Sequence, residues 1–196
     1  VVPASGGATR RQAGLLRDFG ATVLCATPSY GLHLWEASME VGVNFRDLPL
    51  RVGVFGAEPW SEAMRRDIED KMDISAMNIY GLSEIMGPGG AMECEEAKCG
   101  MHLWEDHILP EIIDPVTGDQ LPPGEVGELV LTTLCRHGMP ILRYRTRDLT
   151  RIIPGDCPCG RKHRRIDRIL GRSDDMIIVK GVNIYPMQVE RVLMAY

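Results

Sequence analysis

Several features that would direct a chain to membranes or to nucleic acid are missing from this sequence. No long uncharged apolar run occurs in its 196 residues, so we expect no membrane span. Basic residues number 22 against 27 acidic ones, and the net charge of -5 argues against a nucleic-acid surface. Aromatic residues make up only 6% of the chain, so no aromatic box marks a ligand pocket. We therefore expect neither a membrane nor a nucleic-acid partner.

Two further features are missing from the beginning of the chain. The segment 1–7 has no basic leader before an apolar stretch, so no signal peptide is visible. It also has no initiator Met, so we expect the chain to be an internal piece of a longer protein. The six cysteines are then expected to be reduced thiols or metal ligands rather than a disulfide scaffold, in a cytoplasmic protein.

The first half of the chain contains an alternation of helix and strand patterns. Apolar residues at helical spacing predict a first helix that ends at Gly20, and Ser61 is a suitable N-cap for a later one. The predicted helices are 8–19, 29–41 and 61–71, and the predicted strands are 21–26, 50–55 and 74–79. This alternation is typical of an α/β fold with a mostly parallel, helix-covered sheet.

The pattern changes after Gly90. Short strands with Pro/Gly turns at 108–114, 128–133, 141–144 and 149–153 predict an antiparallel sheet or a distorted barrel. A strand at 176–179, a turn at 180–183 and a helix that begins at Pro186 follow. We therefore expect three parts: an α/β part, 1–93, an antiparallel β part, 94–173, and the start of a small α+β domain, 174–196.

One short stretch, Ile79-Tyr80-Gly81-Leu82-Ser83-Glu84, carries several polar groups. We expect Gly81 to break the strand and Gly87-Pro88-Gly89-Gly90 to follow in a loop. A strand that runs into a tight loop is where an α/β sheet usually places its ligand. The ring of Tyr80 beside the carboxylate of Glu84 suits a flat base near a cation-bound phosphate. The plain alternative is a buried Tyr and a solvated Glu on a turn.

Three ordered motifs give this stretch a context. Tyr80-Gly81-Leu82-Ser83-Glu84 resembles the fifth core motif of the adenylate-forming (acyl-CoA synthetase) superfamily. Tyr144-Arg145-Thr146-Arg147-Asp148 resembles its ribose-binding motif, and Gly171-Arg172-Ser173-Asp174-Asp175 resembles its hinge motif. The segments 55–60 and 143–149 resemble the phenylacetate–CoA ligase branch. The resemblance covers nearly the whole chain.

The resemblance implies an enzyme that converts an aryl acid such as phenylacetate, ATP and CoA to acyl-CoA, AMP and diphosphate through an acyl-adenylate. It implies two catalytic residues, Glu84 as the carboxylate that binds Mg²⁺ and Asp174 as the hinge of a rotating C-terminal domain. Asp148 would accept hydrogen bonds from both ribose hydroxyls, and Tyr80 would lie against adenine. The implied nucleotide site as a whole comprises Ala57, Glu58, Pro59, Tyr80, Gly81, Ser83, Asp148 and Arg172.

Three details depart from the family pattern. The Ser/Thr/Gly-rich phosphate loop is not found, because Ser5-Gly6-Gly7 is too short and lacks a basic residue. The late lysine is not found either, and Lys180 lies in a different loop, so we expect this piece alone to be inactive. Arg147 stands where many members have Gly. Phosphate binding by the cluster Arg143, Arg145 and Arg147 is one interpretation, and ordinary ion-paired or solvated arginines are the simpler one.

The cysteines form a second constellation. Cys157-Pro158-Cys159-Gly160 is a knuckle-like turn with two thiols, and Cys94 and His102 flank a short loop. Three thiolates and one imidazole suit tetrahedral zinc, so we predict a structural zinc site at Cys94, His102, Cys157 and Cys159. Cys99 and His163 are competing ligands. Cys25 and Cys135 lie in apolar contexts and are expected in the core.

Several alternatives stay open at this point. A module that binds nucleotide or adenylate without turnover is one rival, and a zinc-ribbon domain for nucleic acid is another, although the net charge and the motifs count against it. Indoleacetate, another arylacetate or a benzoate would fit the same motifs. Tyr30, Phe55 and Trp60 are candidates for an aryl pocket, and at least one is expected to be core. Apolar residues after Asp174 predict packing onto the body or onto a second copy, so we expect a homodimer.

Overall fold

The computed structural model describes residues 7–175, 177–179, 182–184, 189 and 192. The chain forms two compact units, Val1–Asn78 and Ile79–Tyr196. This division does not test the three parts predicted from the sequence, which stay a prediction. Lys180 and the predicted helix start at Pro186 lie outside the described residues. Within the described part, no helix is long and apolar enough to cross a membrane.

The first unit alternates helices with strands. Its helices are α1 (Thr9–Asp18), α2 (Pro28–Glu40) and α3 (Glu62–Met72), with a 3-10 helix at Phe45–Asp47, and its strands are β1 (Val23–Ala26), β2 (Val52–Gly56) and the beginning of β3 (Ser75–Leu82). β1 and β2 run parallel, with Val23 opposite Val52, and β3 lies next to β2. The Ser61 hydroxyl accepts a hydrogen bond from Met64 N at 3.2 Å and caps α3, as predicted. All three predicted helices are confirmed.

Helices and strands together form the core of the first unit. Leu34 of α2, Phe55 of β2 and Ile68 of α3 are at most 2% exposed. Trp60 packs edge-on against Phe55, with ring centroids 5.7 Å apart, and its indole N–H donates to Asn78 Oδ1 at 3.0 Å. Phe55 and Trp60 are therefore core residues, which confirms that the aryl-pocket candidates include plain core.

The second unit is built almost entirely from antiparallel strands. After the end of β3 come β4 (Met86–Glu93), β5 (Met101–Leu103), β6 (Ile108–Ile113), β7 (Gly127–Thr133), β8 (Tyr144–Thr150), β9 (Ile152–Ile153), β10 (Arg165–Ile166), β11 (Gly171–Arg172), β12 (Ile177–Val179) and β13 (Val182–Ile184). One sheet has the order β3-β4-β5-β10-β9, a second has the order β11-β8-β7-β6, and β12 pairs with β13. Both larger sheets are open among the described residues, so the barrel alternative is wrong and the antiparallel sheet is confirmed.

β3 and β4 form a hairpin, and the loop predicted here is wrong. β3 continues through Gly81, where the register with β4 shifts, so this glycine lies at a bulge. The residues 87–90 lie within β4. A Cβ at Gly89 would be 2.5 Å from Ile79 Cδ1. The glycine therefore permits close packing across the hairpin and does not mark a turn.

The strand ends predicted around the ribose-like motif are also wrong. The segments 141–144 and 149–153 were expected as separate strands, but the single strand β8 spans 144–150. Arg143 and Arg147 have φ values of 48° and 69°, and the register between β7 and β8 shifts. This irregularity interrupts the alternation of side chains on which strand prediction depends. Asp148 consequently lies within a strand.

Candidate nucleotide site and thiol cluster

The hairpin turn between β3 and β4 presents two of the predicted site residues. The side chains of Ser83 and Glu84 are both exposed. Arg136 donates hydrogen bonds to the carbonyl oxygens of Glu84 and Ile85, so a guanidinium holds the backbone of the turn. An exposed carboxylate on a fixed turn fits one ligand of Mg²⁺, whose other ligands are then phosphate and water oxygens.

Asp148 is surrounded by side chains from the other two motifs. The Tyr80 hydroxyl donates to Asp148 Oδ2 at 2.6 Å, and Arg172 Nη1 lies 3.4 Å from Oδ1. Strand pairing positions these groups, because Asp148 of β8 is opposite Arg172 of β11. Thr146 holds the backbone: its Oγ1 accepts from Asp148 N at 3.1 Å and donates to Leu129 O at 2.8 Å. Tyr80 and Arg172, from two of the motifs, thus both contact the carboxylate of Asp148, which belongs to the third motif.

Burial changes the protonation behaviour of this pair. It raises the pKa of Asp148, and the Tyr80 hydrogen bond and the Arg172 charge offset part of that increase. Burial, followed by the Asp148 carboxylate, also raises the pKa of Tyr80, so the phenol stays a neutral donor. The Asp148 side chain is still 16% exposed. A ligand hydroxyl can therefore reach the carboxylate and replace the phenol as its donor.

Arg172 also binds the predicted hinge residue. Its Nε and Nη2 donate to the two Asp174 carboxylate oxygens at 2.9 and 2.8 Å, which is a bidentate pair. The hydrogen bonds from Arg172 lower the pKa of Asp174. Gly171 has φ of 150°, in a region that residues other than glycine rarely adopt. One arginine therefore links Asp148 with Asp174, while the hinge role of Asp174 stays a prediction.

Glu128, which no sequence motif marked, binds the arginines of the ribose-like motif. Its side chain has 0% exposure, and Arg145 Nε and Nη2 donate to its two oxygens at 3.0 and 2.6 Å. Arg147 Nη1 lies 3.7 Å from Oε2. Burial acts to raise the pKa of Glu128, but the Arg145 hydrogen bond and charge lower it below its usual range. The ion-paired interpretation of these arginines is confirmed. The sequence signal for Glu128 itself was an isolated charge in the apolar run of β7.

Ala57, Glu58 and Pro59 lie in the first unit, directly after β2. Ala57 has φ of 68°, which is uncommon for a residue with a Cβ atom. Glu58 Oε1 accepts from Ser29 N at 2.6 Å in the first turn of α2, where a carboxylate is stabilised by the helix dipole. The turn is therefore held in an unusual conformation by a side chain. The role of these residues beside a nucleotide stays a prediction.

The four predicted zinc ligands come together in the second unit. The ligand atoms of Cys94, His102, Cys157 and Cys159 all lie within 4.8 Å of one another. Burial lowers the pKa of His102, which favours the neutral imidazole. Burial acts to raise the pKa of Cys159, but hydrogen bonds from the backbone and side chain of Arg161 and from the two other thiols lower it to about 7.

The other cysteines do not join this cluster. Cys25, Cys99 and Cys135 are exposed, so the core location predicted for Cys25 and Cys135 is wrong. Cys25 lies on β1, where Leu24 is buried while Val23 and Cys25 are exposed, so the Cys25 side chain is on the face of the strand opposite the core. Cys135 lies beyond the end of β7, and its Sγ is 2.8 Å from His107 Nδ1. An apolar sequence context did not ensure burial at either position.

Comparisons with known proteins agree on one group of enzymes. Residues 1–135 match the family described as AMP-binding enzyme. Phenylacetate-coenzyme A ligase of Pseudomonas putida is 55% identical over 190 residues, which are 97% of this chain and 43% of that protein. The Escherichia coli K12 ligase of the same name is 52% identical over 197 residues, 100% of this chain and 44% of that protein. This chain thus spans less than half the length of these relatives.

A solved structure agrees with the sequence relatives. The structure of 2-hydroxyisobutyryl-CoA ligase in the postadenylation state, in complex with R3-HIB-AMP, matches with a TM-score of 0.89 at 30% identity. The match covers 99% of this chain and 42% of that chain. ATP-bound MatB from Rhodopseudomonas palustris matches with a TM-score of 0.65 at 21% identity over 96% of this chain and 38% of its own, which shows a common fold.

Proposed function

The chain belongs to the family of AMP-binding enzymes, and we propose that it supplies nucleotide-binding residues to an ATP-dependent aryl-CoA ligase. The cluster of Tyr80 and Arg172 around the Asp148 carboxylate carries this proposal, because it provides a partly buried acceptor for a ribose and an aromatic ring beside it. The relatives at 52 and 55% identity are phenylacetate-coenzyme A ligases, which supports phenylacetate as the acid. The whole enzyme would form phenylacetyl-CoA, AMP and diphosphate.

The reaction has two steps. A carboxylate oxygen of the acid attacks the α-phosphorus of ATP, the bond to the β-phosphate oxygen breaks, and diphosphate leaves. The CoA thiol then attacks the acyl carbon, loses its proton, and displaces AMP as the C–S bond forms. Asp148 accepts from both ribose hydroxyls, and Tyr80 lies against adenine, so the α-phosphate is held in line for attack. Gly81 contributes its backbone and Ser83 its hydroxyl to the same nucleotide site, from the hairpin that carries Tyr80.

Glu84 is proposed to bind Mg²⁺ in this site. Its carboxylate is exposed while Arg136 holds its backbone, so the carboxylate is available to the ion. Magnesium bound to phosphate oxygens neutralises part of their charge. Ala57, Glu58 and Pro59 are proposed to contact the nucleotide as well.

The pair between Arg172 and Asp174 is proposed to take part in the change between the two reaction steps. Arg172 binds both Asp148 and Asp174, so a ligand that engages Asp148 alters the partners available to the hinge residue. A rotation at Asp174 would break a bidentate contact that is half-exposed and costs little to separate.

A full-length kinetic assay tests this function. We expect CoA- and acid-dependent release of AMP, with phenylacetate preferred over indoleacetate and benzoate, and no turnover by residues 1–196 alone. Asp148→Ala should lower kcat/KM for ATP by about 100-fold or more, because each charge-assisted hydrogen bond contributes roughly 1.5–3 kcal/mol. Asp119→Asn, on an exposed turn, is the matched control.

Two outcomes of this assay would contradict the proposal. Nucleotide binding without any acid-dependent AMP release would favour the rival function, a module that holds nucleotide or adenylate without turnover. Near-normal ATP kinetics in Asp148→Ala would remove the ribose assignment. A preference for indoleacetate or benzoate would retain the ligase and replace phenylacetate with a related aryl acid.

We also propose that residues 1–196 form a homodimer, and that the whole enzyme is cytoplasmic, since ATP and CoA are supplied in that compartment. Large apolar side chains support self-association: Phe19 is 71% exposed and Val23 is 49% exposed. Light scattering of residues 1–196 at low micromolar concentration should give twice the monomer mass. A monomer at that concentration would contradict the dimer.

A further inference from the structure

We propose that Cys94, His102, Cys157 and Cys159 bind one structural zinc ion. Three sulfur atoms and one imidazole nitrogen lie within 4.8 Å of one another, on residues from three separate parts of the second unit. Thiolates and imidazole are the ligands that zinc prefers, and a Cys₃His set is a common structural combination. The proposal is independent of the ligase function, because metal content is measured without turnover.

The distances between the ligand atoms fit a tetrahedron around one ion. Cys94 Sγ and Cys157 Sγ are 3.6 Å apart, and Cys159 Sγ and His102 Nε2 are 3.4 Å apart. With zinc–sulfur bonds of about 2.3 Å, tetrahedral geometry sets neighbouring sulfurs roughly 3.8 Å apart. The sulfur–sulfur distance is much longer than a disulfide bond of about 2.05 Å. Two of the six distances between ligand atoms are therefore close to tetrahedral spacing, and the other four are within 4.8 Å.

Strand pairing explains how these residues converge. β4 pairs with β5 in a register that places Met92 opposite His102, and Cys94 is the first residue after β4. β5 also pairs with β10, with His102 opposite Arg165. Cys157 and Cys159 lie in the turn between β9 and β10, closed by a hydrogen bond from Gly160 N to Cys157 O at 3.0 Å. The ligands thus come from the residue after β4, from β5 and from the turn between β9 and β10.

Groups around the cluster fix the orientation of the ligands. His102 Nδ1 lies 3.4 Å from the carbonyl oxygen of His163, so a proton on Nδ1 leaves the Nε2 lone pair for the metal. His163 therefore contacts His102 through its backbone carbonyl oxygen. The buried guanidinium of Arg165 donates to the carbonyl oxygens of Cys99, Gly155 and Asp156 at 2.8, 3.4 and 3.3 Å. This guanidinium connects the loop before β5 with the turn that carries the two thiols.

The site is closed, which indicates a structural role. Cys94, His102 and Cys157 are 5, 2 and 6% exposed, so three of the four ligands have almost no access to solvent. Four protein ligands complete a tetrahedral ion and leave no position for substrate. The ion would join β4 and β5 to the β9–β10 turn, across a sequence separation of 63 between Cys94 and Cys157. Its expected effect is a more stable second unit.

Metal analysis of full-length protein purified without chelator tests the proposal. We expect about one zinc per chain, with zinc–sulfur distances of about 2.3 Å and one zinc–nitrogen distance of about 2.0–2.1 Å by X-ray absorption. Cys94→Ser and Cys157→Ser should lower the zinc content at least ten-fold and lower the melting temperature. Cys25→Ser and Cys99→Ser, at exposed thiols outside the cluster, should leave both values unchanged.

Several results would overturn the assignment. Wild-type protein with no bound metal would do so, and so would a Cys94–Cys157 disulfide in mass spectra of alkylated peptides. Iron instead of zinc would contradict the identity of the ion. X-ray absorption on the wild type decides the ligand set even where a serine variant does not fold, because oxygen ligands or a different sulfur number would each contradict it.

Discussion

Replacement of Tyr80 separates the two roles assigned to this residue, its hydroxyl on Asp148 and its ring against adenine. Tyr80→Phe removes the 2.6 Å hydrogen bond to Asp148 Oδ2 and keeps the ring. Tyr80→Leu removes both. Because the hydrogen bond lowers the pKa of Asp148 while burial raises it, loss of the hydroxyl should raise that pKa further.

The size of the shift follows from the hydrogen bond. A hydrogen bond to a charged group contributes roughly 1.5–3 kcal/mol, and water can replace part of it because the Asp148 side chain is 16% exposed. Only part of that free energy therefore appears as a further rise in the pKa of Asp148. Ionised Asp148 is the form that accepts from the ribose. Affinity for ATP is therefore lost as the pH falls through this pKa, and the loss should begin at a higher pH in Tyr80→Phe.

The assay is the pH dependence of kcat/KM for ATP, which reports ionisations of the free enzyme. In Tyr80→Phe the acid limb should move to higher pH, with near wild-type values well above it. In Tyr80→Leu the value should also fall at every pH, by the roughly 1–3 kcal/mol of aromatic–base stacking. An acid limb that stays in place in Tyr80→Phe, or identical kinetics in the two variants, would refute the reasoning.

Two other substitutions have defined outcomes. Glu128→Gln should destabilise the protein by about 2 kcal/mol at neutral pH, because it weakens charge-assisted hydrogen bonds at a fully buried position. Because the pKa of Glu128 is lowered in the folded protein, the ionised side chain stabilises the fold above the unfolded pKa, and this stabilisation is lost as the pH falls through the folded pKa. The difference in unfolding free energy between the variant and wild type, measured by urea unfolding, should therefore be smaller in acid. Equal differences at both pH values would contradict this. Glu84→Gln should raise the Mg²⁺ concentration needed for half-maximal activity by about ten-fold, or about 1.4 kcal/mol, and an unchanged magnesium titration would remove Glu84 as a ligand.

The sequence was most informative where chemistry restricts the residue type. Three motifs predicted that Tyr80, Asp148 and Arg172 serve one site, and the structure brings them together around the carboxylate. The thiols and imidazole were grouped by ligand chemistry alone, and Cys94 and Cys157 are in contact despite their separation in sequence.

The sequence was least informative where long-range packing decides the conformation. Gly81 and the glycines at 87–90 predicted a loop, but a bulge and close packing across the hairpin explain them. The role of Glu128 was not predicted, because the partner of this charge does not lie nearby in the sequence. Arg145 comes from the neighbouring strand. Cys25 lies in an apolar segment, but its side chain is on the exposed face of β1. Composition cannot reveal which side a sheet leaves uncovered.

The path of one oxygen atom tests the central claim most directly. Full-length enzyme would be incubated with ATP, CoA and phenylacetate labelled with ¹⁸O in its carboxylate, and the AMP would be analysed by mass spectrometry. Attack of the carboxylate on the α-phosphorus followed by displacement by the thiol leaves one carboxylate oxygen on the phosphate, so AMP should carry one ¹⁸O per thioester formed. Unlabelled AMP, or label in inorganic phosphate together with ADP, would contradict an acyl-adenylate and with it the function proposed for this chain.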